Sequence, residues 1–194
     1  TSYCLKIDIR KYFPSINKDI MKRIVAPTIR SQKLLKVVCE IIDSSENGLP
    51  IGNYLSQYLS NLYLNGFDHY VKNDLKVKNY VRYADDMVFL SSSKSELWGI
   101  FNKISVYLYT SLRLTIKPNY QVFKVDDRGI DFVGYVFRHT HTRIRKSIKV
   151  SFAKKVHKMK YYAPQIIKNK TASWYGWCVH CNAVHLIKKL YDKD

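Results

Sequence analysis

The segment YVRYADDMVFL, residues 80–90, places two adjacent aspartates, Asp85 and Asp86, in a run that otherwise favours β-strand. Aromatic and β-branched residues, which are enriched in strands, flank the pair on both sides. Because an unpaired buried carboxylate is costly, we expect a β-hairpin that carries both acids at its end, where a cation can reach them. The alternative is a hairpin whose acidic tip is only solvated.

A second apolar strand ends near an acid of its own. Residues 3–9, YCLKIDI, contain Asp8 close to their end. Magnesium takes oxygen ligands, usually one or two carboxylates together with phosphate and water oxygens, and two such ions, or two of manganese, support phosphoryl transfer. Successive strand side chains point to opposite faces, so we assign Asp8 and Asp85 as principal ligands and Asp86 as a supporting one.

The remaining pattern predicts helices behind an antiparallel sheet. Helical spacing of apolar residues predicts helices at about residues 18–26, 31–43, 54–71 and 94–112. Strands are predicted at residues 114–116, 120–125 and 130–137, with a turn at 126–129 and a last helix at 172–190. This order is typical of an α+β fold of the split βαβ, ferredoxin-like type. We place a domain boundary after residue 142.

The composition restricts the class of partner. Lys and Arg number 33 against 15 acids, a net charge of +18, which favours nucleic acid first and an anionic membrane surface second. No apolar run approaches the ~20 residues that cross a bilayer, so we expect no membrane partner. Four cysteines are too few for a disulfide scaffold, and a cytoplasmic location is expected.

Four blocks, in order, resemble the motifs of reverse transcriptases. They are KIDIRKYFPSI at residues 6–16, GLPIGNYLSQYLSNLYLN at 48–65, YVRYADDMVFL at 80–90 and GIDFVGY at 129–135. The resemblance implies a polymerase palm at residues 1–142 that includes a partial fingers segment at about 15–50, followed by a basic helical thumb at 143–194. It also implies fingers upstream of Asp8, without which we expect this segment to lack activity.

The second block indicates a subfamily. Most reverse transcriptases have Gln-Gly followed by Ser-Pro, whereas this chain has Ile51-Gly52 followed by Ser56-Gln57. That form resembles the enzymes of diversity-generating retroelements, as does the C-terminal segment SWYGWCVHCNAVHLIKKL. The resemblance implies a bacterial or phage enzyme that makes error-prone cDNA, with misincorporation mainly opposite adenines. Replacement of a long hydrogen-bonding Gln by Ile51 would remove a polar hold on the base pair.

The resemblance also implies roles around each block. Phe13 would be the aromatic gate that excludes the 2′-hydroxyl of a ribonucleotide, with a plain core phenylalanine as the alternative. Gly52 would let the backbone approach a nucleotide, and Ser56 would lie beneath the templating base. Ile9 would join the three acids at the metals. The remaining substrate-binding residues would be Arg10, Lys11, Tyr12 and Gln57.

A basic tract at residues 138–160 suits a thumb that holds the phosphates of a primer–template duplex. A solvated helix face is the alternative for about half of its residues. The nucleic-acid-binding residues predicted here and at the earlier blocks are Tyr83, Gly134, Tyr135, Arg143, Arg145, Lys146, Lys154 and Lys155. Cys178, Cys181 and His185 lie at helical spacing, but a structural zinc site needs four ligands, so core packing is expected.

The expected partners are template RNA, a primer or cDNA, dNTPs and a basic accessory protein. The proton donor to pyrophosphate stays open, because the family often has a Lys near the position of Tyr120 and this chain has only Lys117 and Lys124 nearby. Three other functions also stay open: a group II intron maturase, a retron or defence-associated reverse transcriptase, and a non-catalytic nucleic-acid-binding module that keeps the fold.

Overall fold

The computed structural model describes residues 2–191. The chain forms two compact units, an N-terminal unit of residues 2–123 and a C-terminal unit that begins at Lys124. Within the described residues, no helix is both long and apolar enough to cross a membrane.

The N-terminal unit is built on one antiparallel sheet. Its strands are β1 (Tyr3–Asp8), β2 (Tyr80–Tyr83), β3 (Asp86–Ser91) and β4 (Gln121–Lys124), in the order β2-β3-β1-β4. β1 and β2 both pair antiparallel with β3, so the strand that ends at Asp8 lies beside the predicted hairpin. The expected antiparallel sheet is therefore present.

Helices cover one face of this sheet. They are α1 (Tyr12–Ser15), α2 (Lys18–Val25), α3 (Gln32–Asp43), α4 (Tyr54–Tyr63), α5 (Asn65–His69), a π-helical turn (Tyr70–Asp74) and α6 (Lys94–Leu112). Ile7 and Phe89 from the strands pack in one buried cluster with Phe67 and Leu108 from the helices. Alternation along β1 puts Asp8 on the opposite face from Ile7.

Two predicted elements of this unit differ from the structure. The single helix expected at residues 54–71 is divided at Leu64, where Asn65 and Gly66, both weak helix formers, follow. The strand expected at residues 114–116 is reduced to one bridge between Ile116 and Ile9. Pro118 follows closely and has no N–H for a ladder.

In the part of the chain that the structure describes, the C-terminal unit contains a second sheet, one short helical turn and four longer helices. Its strands β5 (Ile130–Phe132), β6 (Tyr135–Phe137) and β7 (Thr142–Ile144) are antiparallel in that order. The helices are α7 (Val125–Arg128), α8 (Lys146–Lys158), α9 (Pro164–Lys170), α10 (Ala172–Val179) and α11 (Val184–Tyr191). Phe152, Val156 and Cys178 are buried together in its core.

Three expectations for this unit are corrected by the structure. The strand expected at 130–137 folds back on itself at Val133 and Gly134, which both have positive φ. A Cβ on Gly134 would lie 2.4 Å from the Trp177 ring, so only glycine fits this bend. The turn expected at 126–129 is the helical turn α7, and the last helix is two helices, α10 and α11.

The division between the units falls before the expected boundary at residue 142. The reason is that β5, β6 and β7 form one sheet of their own, which keeps residues 130–144 in a single unit. The assignment of the two units to palm and thumb functions stays a prediction.

Candidate active site

Three carboxylates meet at the end of the N-terminal sheet. Asp8 and Asp86 are direct partners in the β1–β3 register, and Asp85 precedes Asp86 in the hairpin turn. Burial raises the pKa of the Asp85 carboxyl, and the negative charge of Asp8 raises it further. The structure thus brings together the acids that the sequence placed on two separate strands.

Two lysines pair with this cluster. Lys117 Nζ lies 2.5 Å from Asp8 Oδ2, and this hydrogen bond raises the pKa of Lys117. Lys6 Nζ lies 3.3 Å from Asp86 Oδ2. The sequence reasoning missed Lys6, although it lies two residues before Asp8 and therefore on the same face of β1. The two cations offset the repulsion among the three acids.

The oxygen donors fit a hard divalent ion in type. Asp8 Oδ1 is buried and has no hydrogen-bond partner among residues 2–191, so this oxygen remains available to a cation. Among residues 2–191, no three or more side chains of His, Cys, Asp or Glu are arranged to hold a metal. Lys6 and Lys117 each contact one oxygen of Asp86 and Asp8, respectively. Ile9 is buried.

Arg82 connects the acidic hairpin to the helices behind it. Its Nε and Nη2 atoms donate to both oxygens of Asp68 at 2.8 and 2.5 Å, and Nη1 donates to Asn61 and to the Ala84 carbonyl. Ala84 immediately precedes Asp85 and has φ of 51°, in the left-handed region. Arg82 therefore holds the strained turn that presents Asp85.

For the polymerase activity that the resemblance implies, we expect Arg82→Lys in the full-length protein to lower the kcat of primer extension by about 10–100-fold, the usual cost of removing a group that orients a site residue. Lysine keeps the charge but cannot bind Asp68 with a planar fork. Steady-state kinetics with saturating template checks this, with primer–template affinity expected to stay unchanged. Arg23→Lys, an exposed arginine of α2, is the matched control. Equal kcat values for the two variants would contradict the assigned role of Arg82.

The segment after β1 positions Phe13. Phe13 is half-buried beside the core, and its carbonyl accepts a hydrogen bond from the Leu49 N–H at 3.0 Å. Tyr12 is buried and donates its hydroxyl to the Ser60 carbonyl at 2.5 Å. Tyr12 is therefore a core residue in this structure, which does not fit its expected contact with substrate. Arg10 and Lys11 are exposed.

The residues of the second block differ in their exposure to solvent. Gly52 has φ of 91° and a Cβ there would meet nothing within 4 Å. Ser56 is buried, and its hydroxyl finds no partner within the described part of the chain. Gln57 is exposed, and Ile51 is 80% exposed. Buried polar groups normally have a hydrogen-bond partner, and Ser56 has none among residues 2–191. This is what we expect of a residue whose partner is a bound substrate.

The remaining predicted residues fall in two places. Tyr83 is exposed beside Asp86 on β2. In the C-terminal unit, Tyr135 donates to the Trp177 carbonyl at 3.0 Å, and Arg145 pairs with Asp131 at 2.6 Å, so both have structural partners. Four further basic residues of this unit are exposed: Arg143, Lys146, Lys154 and Lys155.

The cysteines behave as expected for packing residues. Cys178 is buried, and burial raises the pKa of the thiols of both Cys178 and Cys181. A raised pKa keeps a thiol protonated and a poor metal ligand. His185 lies on α11 and is exposed, so the core packing expected for it is wrong.

A sequence profile described as "Reverse transcriptase (RNA-dependent DNA polymerase)" matches residues 1–137. The chain belongs to the reverse transcriptase family. A curated relative, "Putative COX1/OXI3 intron 2 protein" of Saccharomyces cerevisiae, is 20% identical over an alignment that covers 69% of this chain. The match covers 24% of that relative, so this chain spans about a quarter of its length.

Solved telomerase structures share the fold of this reverse transcriptase. Apo telomerase of Candida tropicalis matches with a TM-score of 0.57 and 15% identity, covering 71% of this chain and 31% of that one. Telomerase of Candida albicans in complex with a TWJ fragment of telomeric RNA matches at 0.62 and 11%, covering 99% and 42%. With the antiparallel sheet and its helices, this is a palm-like polymerase fold.

Proposed function

We propose that this reverse transcriptase is an RNA-directed DNA polymerase that makes cDNA from an RNA template. The observation that carries the proposal is the meeting of Asp8, Asp85 and Asp86 at one end of the sheet. Phosphoryl transfer depends mainly on positioning and on electrostatic stabilisation, and a rigid sheet end with three carboxylates offers both. A module that only bound nucleic acid would have no need to hold three acids together.

Each residue near the acids has a proposed task. Asp8 and Asp85, supported by Asp86, would hold magnesium or manganese, which supplies activation of the primer 3′-hydroxyl and neutralises the leaving pyrophosphate. Lys117 lies beside Asp8 and would release it as the site fills, placing an ammonium group near the departing phosphates. The Phe13 ring would exclude the 2′-hydroxyl of a ribonucleotide. The hydrogen bond from the Leu49 N–H to the Phe13 carbonyl would hold the backbone of this residue in place.

Nucleic acid and accessory partners belong to the same proposal. Template RNA and the primer would contact exposed basic residues of the C-terminal unit, which would act as a thumb. Dissociation of such a complex should increase steeply with salt, because counterions are released on binding. A basic accessory protein and a cytoplasmic location in a bacterium or a phage-infected cell follow from the retroelement assignment below.

We further propose the diversity-generating retroelement type, on the strength of the second block. Ile51 stands where a hydrogen-bonding Gln would be expected, and the Ser56 hydroxyl is buried without a partner in residues 2–191. An intron-encoded reverse transcriptase is the second candidate, favoured by the similarity to the yeast intron 2 protein.

The experiment is primer extension by the full-length protein on an RNA template that contains all four bases, followed by sequencing of the cDNA. The retroelement type is expected to give errors opposite adenine at least about tenfold above those opposite other bases, a discrimination of ~1.4 kcal/mol. Errors spread evenly would favour the intron-encoded candidate, and absence of extension would oppose the polymerase proposal.

Ile51→Gln tests the residue to which the subtype is attributed. A Gln side chain would restore a polar hold on the base pair, so the excess of errors opposite adenine should fall towards the level at the other bases. Val37→Gln, a substitution at another exposed apolar position, is the matched control and should leave the error spectrum as it was.

A further inference from the structure

The C-terminal unit contains a cationic cavity of about 510 Å³. It lies where the β6–β7 hairpin meets the beginnings of α8 and α11. The basic residues that line it are Arg138, Arg143, Lys146, Lys149 and His185. Among residues 2–191, no acidic side chain lines it. The sequence reasoning singled out Arg143 and Lys146 but not the cavity that they share with the others.

Most of the basic side chains that line the cavity are not paired with acidic residues in the part of the chain that the structure describes. Arg138 Nη1 donates to the Asp126 carbonyl at 2.9 Å. Arg143, Lys146 and Lys149 form no ion pair with any residue between 2 and 191. The neighbouring Arg145, by contrast, is neutralised by Asp131 at 2.6 Å. Three adjacent unpaired cations repel one another, and a bound anion would relieve that repulsion.

Part of the cavity lining is apolar. Val136, Ile144, Ala183 and Leu186 line it, and Ile144 and Ala183 are buried. An inorganic anion would gain no free energy from this apolar surface. The flat face of a nucleobase, stacked on it, would remove apolar area from water, which is favourable. The volume falls within the range of roughly 300–1,000 Å³ that is usual for small-ligand sites.

We propose that this cavity binds one unpaired nucleotide, with its phosphate at the basic lining residues and its base on the apolar ones. A duplex is a poor fit, because its bases are paired and stacked and removing one costs a few kcal/mol. The nucleotide could come from a single-stranded stretch of nucleic acid or from free nucleotide in solution. This inference deepens the proposed function, since a polymerase handles unpaired strands, but its test is a binding measurement that needs no synthesis.

The test uses two double variants of the C-terminal unit that remove the same charge. Lys146→Ala with Lys149→Ala removes cations from the cavity, and Lys188→Ala with Lys189→Ala removes two exposed lysines of α11 that do not line it. Binding is measured by fluorescence anisotropy with a short single-stranded RNA oligonucleotide and with a blunt RNA–DNA duplex of equal phosphate number. Adenosine monophosphate is added as a competitor. Displacement of the oligonucleotide would show that the cavity takes a free nucleotide, and no displacement would show that it takes a strand.

The cavity variant is expected to bind single-stranded RNA at least about tenfold more weakly than the control variant, the effect of losing charged hydrogen bonds, with equal duplex affinities. Equal losses in the two variants would overturn the proposal, since general attraction to polyanions would then suffice. A tenfold loss confined to the duplex would overturn it as well. Melting temperatures verify that both variants fold.

Asp8→Asn separates this inference from the proposed function. That variant is expected to bind single-stranded RNA as the unaltered protein does, because Asp8 does not line the cavity. If the unaltered full-length protein bound the oligonucleotide through the cavity but made no cDNA, the polymerase proposal would be refuted and the cavity assignment would stand.

Discussion

Replacing Asp8 by Asn is expected to abolish primer extension in the full-length protein while leaving RNA binding nearly unchanged. The substitution removes the charge that faces Asp86 across the β1–β3 pair and contacts Lys117 at 2.5 Å. Loss of one preorganised electrostatic group at a reaction centre commonly costs about 10²–10³-fold in kcat. Asp85→Asn should have an effect of the same order, because its carboxyl lies in the same cluster.

Single-turnover extension of a labelled primer measures the rate, and anisotropy with the same template measures binding. Asp43→Asn is the matched control, since Asp43 forms an exposed surface pair with Lys22 at 2.7 Å, far along the chain from the cluster. Extension by Asp8→Asn at the rate of this control would remove Asp8 from the catalytic machinery. A parallel loss of RNA binding would indicate a structural defect instead.

The central sheet could be predicted because its signals are local. Alternation in YCLKIDI and in the segment of residues 80–90 identified β1 and the hairpin, and Ser93 capped the helix expected at 94–112. The meeting of Asp8 with Asp85 then followed from the pairing of two buried strands. The boundaries of these elements were also close, because turn and cap residues mark them.

The features that sequence missed depend on distant contacts. Glycine is needed at position 134 because a Cβ there would meet the ring of Trp177, a residue far along the chain. The contact of Lys117 with Asp8 spans 109 residues. The hydroxyl of the buried Tyr12 donates to the Ser60 carbonyl of α4, 48 residues further along the chain. No periodicity within a short window reports such pairs, so the local environment of each candidate residue could not be predicted.

Gly48→Ala is expected to destabilise the N-terminal unit more than alanine at any other glycine of that unit. A Cβ at position 48 would lie 1.9 Å from the Phe13 carbonyl oxygen and 2.7 Å from the Pro14 backbone, atoms that cannot rotate away. Gly48 also has φ of 61°, where any other residue is strained. Together the overlap and the strain should cost on the order of 2–4 kcal/mol, lowering Tm by roughly 10 °C.

Gly52→Ala isolates the steric part of this effect. Gly52 has φ of 91°, so alanine is strained there too, but its Cβ would meet nothing within 4 Å. The melting temperatures of the two variants should therefore differ, and the difference reports the cost of the collision with Phe13 and Pro14. Because that collision displaces the backbone of the proposed gate, the Gly48 variant should also incorporate ribonucleotides more readily than the Gly52 variant. Equal melting temperatures would show that the segment around Phe13 yields easily, and a yielding segment could not hold an aromatic ring firmly enough to discriminate between sugars.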